Sequence, residues 1–181
     1  VKSLADRINY ELRVLIGQPI ADCSRVANMQ VFGFGPRRQK RSREGEIVEL
    51  GHIRLHIQCR WRFVDERCIL FGRDDLLVPA DDSVSMEEFD WDKAESALDV
   101  AQRKWFELHR SDLPTVIAVG GDAYGGFRIS LAGGYTLEGF RCDSRRDECS
   151  EHWRLFGHRA NGSHFVFTGD GIQGEDIGDA G

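Results

Sequence analysis

Between Gly51 and Phe63 the chain alternates without a break: Ile53, Leu55, Ile57, Cys59, Trp61 and Phe63 are separated by Arg54, His56, Gln58, Arg60 and Arg62, with His52 before them. A period of two sends the two sets to opposite faces of a strand, so this stretch must bury one side and leave the other polar. A tight turn at Asp65-Glu66 would set Phe63 opposite Cys68, Trp61 opposite Leu70 and Cys59 opposite Gly72, all on the buried side. The expectation is a long antiparallel hairpin whose second strand adds Ile69 and Phe71 to the cationic side. A chain organised around such a ribbon is expected to be α+β, with mostly antiparallel sheet.

The other elements fit that class. Ser3 and Asp6 make a capping pair before Leu4, Ile8, Leu12 and Leu15, and Gly17 with Pro19 supplies a stop, so an amphipathic N-terminal helix is expected within Val1–Ile16. Its interspersed charges are unlike an export signal. Asp22–Ala27 and Met29–Phe34 read as strands, Pro36–Glu46 as a mobile basic loop, and Leu76–Pro79 as an extension of the sheet. A second, longer helix is expected after an N-cap at Asp90 or Asp92, with Ala94, Ala97, Leu98, Ala101, Trp105 and Leu108 facing inward. Further strands are expected at Thr115–Val119, Phe127–Leu131, Tyr135–Phe140 and His164–Thr168. A three-residue loop Ala132–Gly134 keeps Leu131 with Tyr135 and Ile129 with Leu137. Trp153 and Phe156 fall in a short helical or irregular piece. The length suits one domain, residues 1–168, with the Gly- and Asp-rich 169–181 as a disordered tail.

No apolar run approaches the ~18 residues of a membrane span. The cysteines, Cys23, Cys59, Cys68, Cys142 and Cys149, are odd in number and scattered, which fits a reducing cytoplasm better than a secreted scaffold. Cys59 and Cys68 read as core residues. His52 and His56 would stand roughly 13 Å apart on a strand, and His109, His152, His158 and His164 are isolated, so no metal site is expected. No nucleophile elbow or activated cysteine is present, and neither a cofactor nor a catalytic residue is expected. Gly120–Gly126 could bare N–H groups to phosphate, but it lacks Lys and joins two strands, so a plain β connection is the better account; Tyr124 within it could serve as an exposed aromatic.

Charge is segregated. Residues 37–62 hold eight Lys or Arg against three Glu, and residues 74–99 hold ten Asp or Glu against one Lys, within a net charge of -6. Arg54, His56, Arg60, Arg62, Phe71 and Tyr124 are therefore the candidate binding residues. The acidic balance and the lack of clustered aromatics make nucleic acid a poor target and another protein the favoured one. The run Tyr124-Gly125-Gly126 with Arg128, the Gly133-Gly134 turn, and Glu151 with Trp153-Arg154-Leu155-Phe156 leading to His164-Phe165-Val166 resemble small bacterial proteins similar in style to polymorphic-toxin immunity proteins. The resemblance implies an α+β sheet protein that binds another protein without catalysis. Two alternatives stay open: an enzyme or small-ligand-binding protein using dispersed Arg, His and carboxylate residues, and nucleic-acid binding through the basic loop and strand.

Overall fold

A computed structural model describes residues 2–41, 45–144, 149–157 and 162–173. The fold is α+β. Helix α1 (Leu4–Leu12) and a 3-10 turn (Arg13–Leu15) are followed by strands β1 (Ile20–Val26), β2 (Met29–Arg41), β3 (Ile47–Ile57), β4 (Arg60–Val64) and β5 (Ile69–Gly72). A 3-10 turn (Arg73–Leu77) and the longer helix α2 (Ala97–Leu108) precede β6 (Val116–Gly121), β7 (Phe127–Leu131), β8 (Tyr135–Phe140), β9 (Glu151–Phe156), β10 (Phe165–Thr168) and β11 (Gly171–Gln173). The strands form two antiparallel sheets, six-stranded β1-β2-β3-β9-β10-β11 and five-stranded β5-β4-β8-β7-β6. No helix among the described residues is long and apolar enough to cross a membrane.

The alternation of Gly51–Phe63 holds through its length, yet the ribbon is two strands in two sheets. At Gln58-Cys59 the chain leaves one sheet for the other, and both N–H groups donate to the His152 carbonyl, at 2.8 and 3.0 Å. The apolar set stays inside because the two sheets face one core, so a strand that turns the corner keeps its buried face. Ile53, Leu55, Ile57, Cys59, Trp61 and Phe63 are all buried. The hairpin register differs from expectation. Asp65 to Cys68 make the turn, the Asp65 carboxylate accepting from the N–H groups of Arg67 and Cys68, and a bulge then sets Phe63 opposite Phe71 and Val64 opposite Ile69. An Asx turn with a bulge slips the pairing by an amount that the alternation of either strand cannot reveal. Phe71 therefore lies in the core, 1 % exposed and stacked on Phe63, and is not on the cationic side; Cys68 is exposed.

Both helices feed the same core. Ser3 caps α1 through a reciprocal pair with Asp6, and Ile8, Leu12 and Leu15 are wholly buried. Helix α2 starts later than expected, because Ser96 and Asp99 form its capping box while Asp90 only closes a turn with Lys93. Its buried stripe is Leu98, Gln102 and Trp105, and Leu108, at its last residue, is 79 % exposed. Trp105 packs edge-on against Phe63 and Tyr135, so α2 closes one side of the sandwich.

Four other segments depart from expectation. The basic stretch, expected as a loop, is strand as far as Arg41: β2 runs past a bulge at Gly35-Pro36 and pairs with β3 from Arg37 opposite Gly51 to Arg41 opposite Ile47. Arg43 lies outside the described residues, as does His158. Leu76 and Leu77 end a 3-10 turn instead of extending a sheet, and Pro79 makes only a bridge to Ser96. The piece holding Trp153 and Phe156, expected to be helical or irregular, is strand β9 (Glu151–Phe156), between β3 and β10, with Trp153 fully buried. Its polar neighbours obscured the pattern. Residues 171–173 of the expected tail form β11 on β10; residues 174–181 lie outside the described residues. The β7–β8 hairpin has the expected three-residue loop, with Leu131 opposite Tyr135 and Ile129 opposite Leu137.

Candidate functional site

The sheet switch divides the expected cationic side between two surfaces. Arg54 and His56 stand on the outer face of the six-stranded sheet, while Arg60 and Arg62 stand on the outer face of the five-stranded one. Each arginine already meets a carboxylate of the protein: Arg54 Nη1 donates to Asp22 Oδ1 at 2.5 Å, Arg60 pairs with Asp74, and Arg62 Nε donates to Glu138 Oε2 at 2.6 Å. Gly33 stands between Asp22 and Arg54 in register, and a Cβ there would collide with both side chains, so the missing side chain is what lets them meet across β2. Arg60 and Asp74 are largely exposed and their contact is weak.

On the six-stranded sheet His56 lies edge-on to Phe156, with ring centroids 4.7 Å apart, and His164 stacks on the same Phe156 ring at 4.5 Å. Burial, and then the charges of Arg154 and Arg54, push the His56 pKa down to about 4. The imidazole is neutral near pH 7. Arg154 is held by Glu151, whose carboxyl is lowered by that contact against the opposing effect of burial.

The five-stranded sheet carries the more open constellation. Register places Arg62 opposite Glu138 and Glu138 opposite Arg128, so a single carboxylate is clasped from both sides by guanidinium groups. The Glu138 side chain is 11 % exposed, whereas those of Arg62 and Arg128 are 47 % and 64 % exposed. The row has one positive charge in excess, and the Phe140 ring lies 5.8 Å from the Arg62 guanidinium. Beside it lies a groove of about 360 Å³ walled by Arg62, Arg128, Asp122 and Phe140 and backed by glycines 120, 121, 126 and 139. Arg128 and Glu138 are not among the candidates that the sequence singles out, although the β7–β8 hairpin alone sets them opposite one another. Arg62 joins them only through the non-local pairing of β4 with β8.

The glycine-rich connection does not offer its N–H groups to phosphate. Asp122 Oδ1 accepts from the N–H groups of Tyr124 and Gly126 at 2.7 and 2.8 Å, and the Gly121 N–H donates to Asn9 Oδ1 at 2.6 Å. Tyr124 is 80 % exposed and opens on a different groove, of about 620 Å³, near Arg141, Asp143 and Asp170. The structure thus brings Arg60 and Arg62 onto one sheet, holds Arg54 and His56 on another, and leaves Tyr124 apart. Among the described residues no three His, Cys, Asp or Glu side chains are placed to share a metal ion. No family model, curated protein or solved structure matches this chain.

Proposed function

We propose that this chain is a non-enzymatic protein-binding module, of interaction or immunity type, that docks an acidic surface of another protein on the outer face of its five-stranded sheet. The row Arg62–Glu138–Arg128 carries the reading. Two half-exposed guanidiniums share one buried carboxylate, so their fork geometry is pre-set while donors remain for a partner's carboxylates. Phe140 adds apolar area beside them, the mixture that interface centres favour. A cytoplasmic setting accords with the scattered cysteines.

The test compares the wild-type chain with Arg62→Glu/Arg128→Glu in capture from the native cell, followed by titration of the purified partner at low and high salt. Reversal of both charges should weaken the complex at least roughly tenfold, and salt should weaken the wild-type complex more than the variant. Equal capture by both proteins, or no protein partner together with turnover of a small molecule, overturns the reading.

One observation favours a second reading. The 620 Å³ groove beside Tyr124 falls within the size range of small-molecule sites and presents Arg141 with two carboxylates. Thermal stabilisation by nucleotides or inorganic phosphate, abolished by Tyr124→Ala, would support small-ligand binding there; no stabilisation by either probe would remove it.

A further inference from the structure

Strand β1 is the terminal strand of the six-stranded sheet, and its free edge faces helix α2 across a groove of about 330 Å³. One wall is the continuous run Ala21 to Arg25, and the other is Asp99, Gln102, Arg103 and Phe106. Five strand residues span roughly 17 Å, the length of a short bound segment. No backbone hydrogen bond joins residues 21–25 to any described element except β2.

The direction of the free groups follows from the turn. The β1–β2 hairpin closes through two residues, Ala27 at φ 51° and Asn28, with Val26 opposite Met29. A two-residue turn makes that closing pair hydrogen-bonded, and pairs alternate from there. Arg25 opposite Gln30 and Cys23 opposite Phe32 are thus the non-bonded pairs, and the N–H and C=O of Cys23 and Arg25 point away from β2, along the groove.

The helix beneath carries an unpaired donor. Gln102 is 5 % exposed, and its buried amide nitrogen has no hydrogen-bond partner. Such a group costs stability unless something pairs with it. Charge selects the kind of occupant. Arg25, Arg37 and Arg103 line the groove with two carboxylates, Asp22 held by Arg54 and the Gly51 N–H and Asp99 held by Arg25 and Ser96; Arg103 donates to Glu95 at 2.5 Å, so the excess positive charge of the lining rests on Arg37. Arg37 spends its guanidinium on the Ala21 carbonyl, orphaned by the bulge, and no described carboxylate pairs with it.

We infer that the β1 edge and helix α2 form a second docking site that takes an extended acidic peptide segment of a partner protein as an added strand. The main chain of the segment pairs with Cys23 and Arg25, and its inward side chains lie over Gln102, Arg103 and Phe106. This surface is separate from the Arg62–Glu138–Arg128 row and stands or falls without it.

The probe is a ten-residue peptide selected by display on the immobilised full chain and then synthesised. Selection should enrich Asp and Glu at alternate positions, and binding should slow hydrogen exchange at the Cys23 and Arg25 amides. Cys23→Pro removes an outward N–H from an edge strand together with a thiol packed against the core, and should weaken binding at least tenfold beyond the loss shown by Cys23→Ala, which keeps the N–H; Arg103→Glu, on the exposed helix surface, should weaken it as much without touching the strand. Arg62→Glu/Arg128→Glu should leave this affinity unchanged, which separates the site from the sheet face. Failure to select any acidic peptide, protection confined to other strands, or affinity indifferent to both Cys23→Pro and Arg103→Glu overturns the inference. So does protection of Cys23 and Arg25 in a dimer formed without peptide, because the edge would then belong to a second copy.

Discussion

Acid should destabilise this fold through His56, and the size of the effect follows from where the ring sits. His56 is half-buried against Phe156 between Arg54 and Arg154, and its pKa is pushed down to about 4, from the ordinary 6.5, by burial first and by those two cations next. Between those two values the unfolded chain binds a proton that the folded chain refuses, so stability falls as the pH drops through this window and levels off below it. At about 1.4 kcal/mol per pH unit the full window amounts to about 3 kcal/mol. The ring is only partly buried, and solvent screening reduces the expected cost to about 1–2 kcal/mol. Urea unfolding of the wild type and His56→Gln at pH of about 7.5 and about 4.5 measures it. The lowered carboxyls of Asp99 and Glu151 and the lowered imidazole of His152 weaken both proteins in acid, so the comparison between them isolates His56. His56→Gln should lose about 1–2 kcal/mol less than the wild type over that range. Equal losses would show that the imidazole is as free to charge in the folded chain as in the unfolded one, and would refute the account of its surroundings.

Two further substitutions probe the core. Gly125 adopts φ +91°, and a Cβ there would overlap the Phe167 ring, so Gly125→Ala should cost about 2–4 kcal/mol, read from the urea midpoint; a loss below about 0.5 kcal/mol would mean the loop relocates freely. Phe71→Ala should cost about 3–5 kcal/mol, because the ring is stacked at 4.9 Å on Phe63 inside the core. Loss of partner binding with unchanged stability would instead return Phe71 to the surface.

Local interactions make much of this fold legible from the amino-acid order alone. The Ser3–Asp6 capping box, the three-residue Ala132–Gly134 loop and the alternation through Phe63 each involve residues a few positions apart, whose geometry is fixed by backbone period and short-range hydrogen bonds. The capping box of α2 is equally local, but Asp90 and Asp92 offer competing caps, and which face of the helix is buried depends on the packing of Trp105 against Phe63 and Tyr135. The Arg128–Glu138 pair is implicit in the same three-residue loop.

By itself, the chain determined which residues are sheltered and which are wetted along the Gly51–Phe63 ribbon, since a period of two needs no knowledge of the neighbour. Tertiary structure alone decided which neighbour each strand acquires. Alternation is identical in a strand that continues and in one that crosses to a facing sheet, so the break at Gln58-Cys59 left no mark in the sequence. Every arginine between Arg54 and Arg62 met its carboxylate through that choice of neighbours. Pairings across tens of residues arise from the cooperative closing of one core, where register and the sharing of Glu138 by Arg62 and Arg128 are settled together.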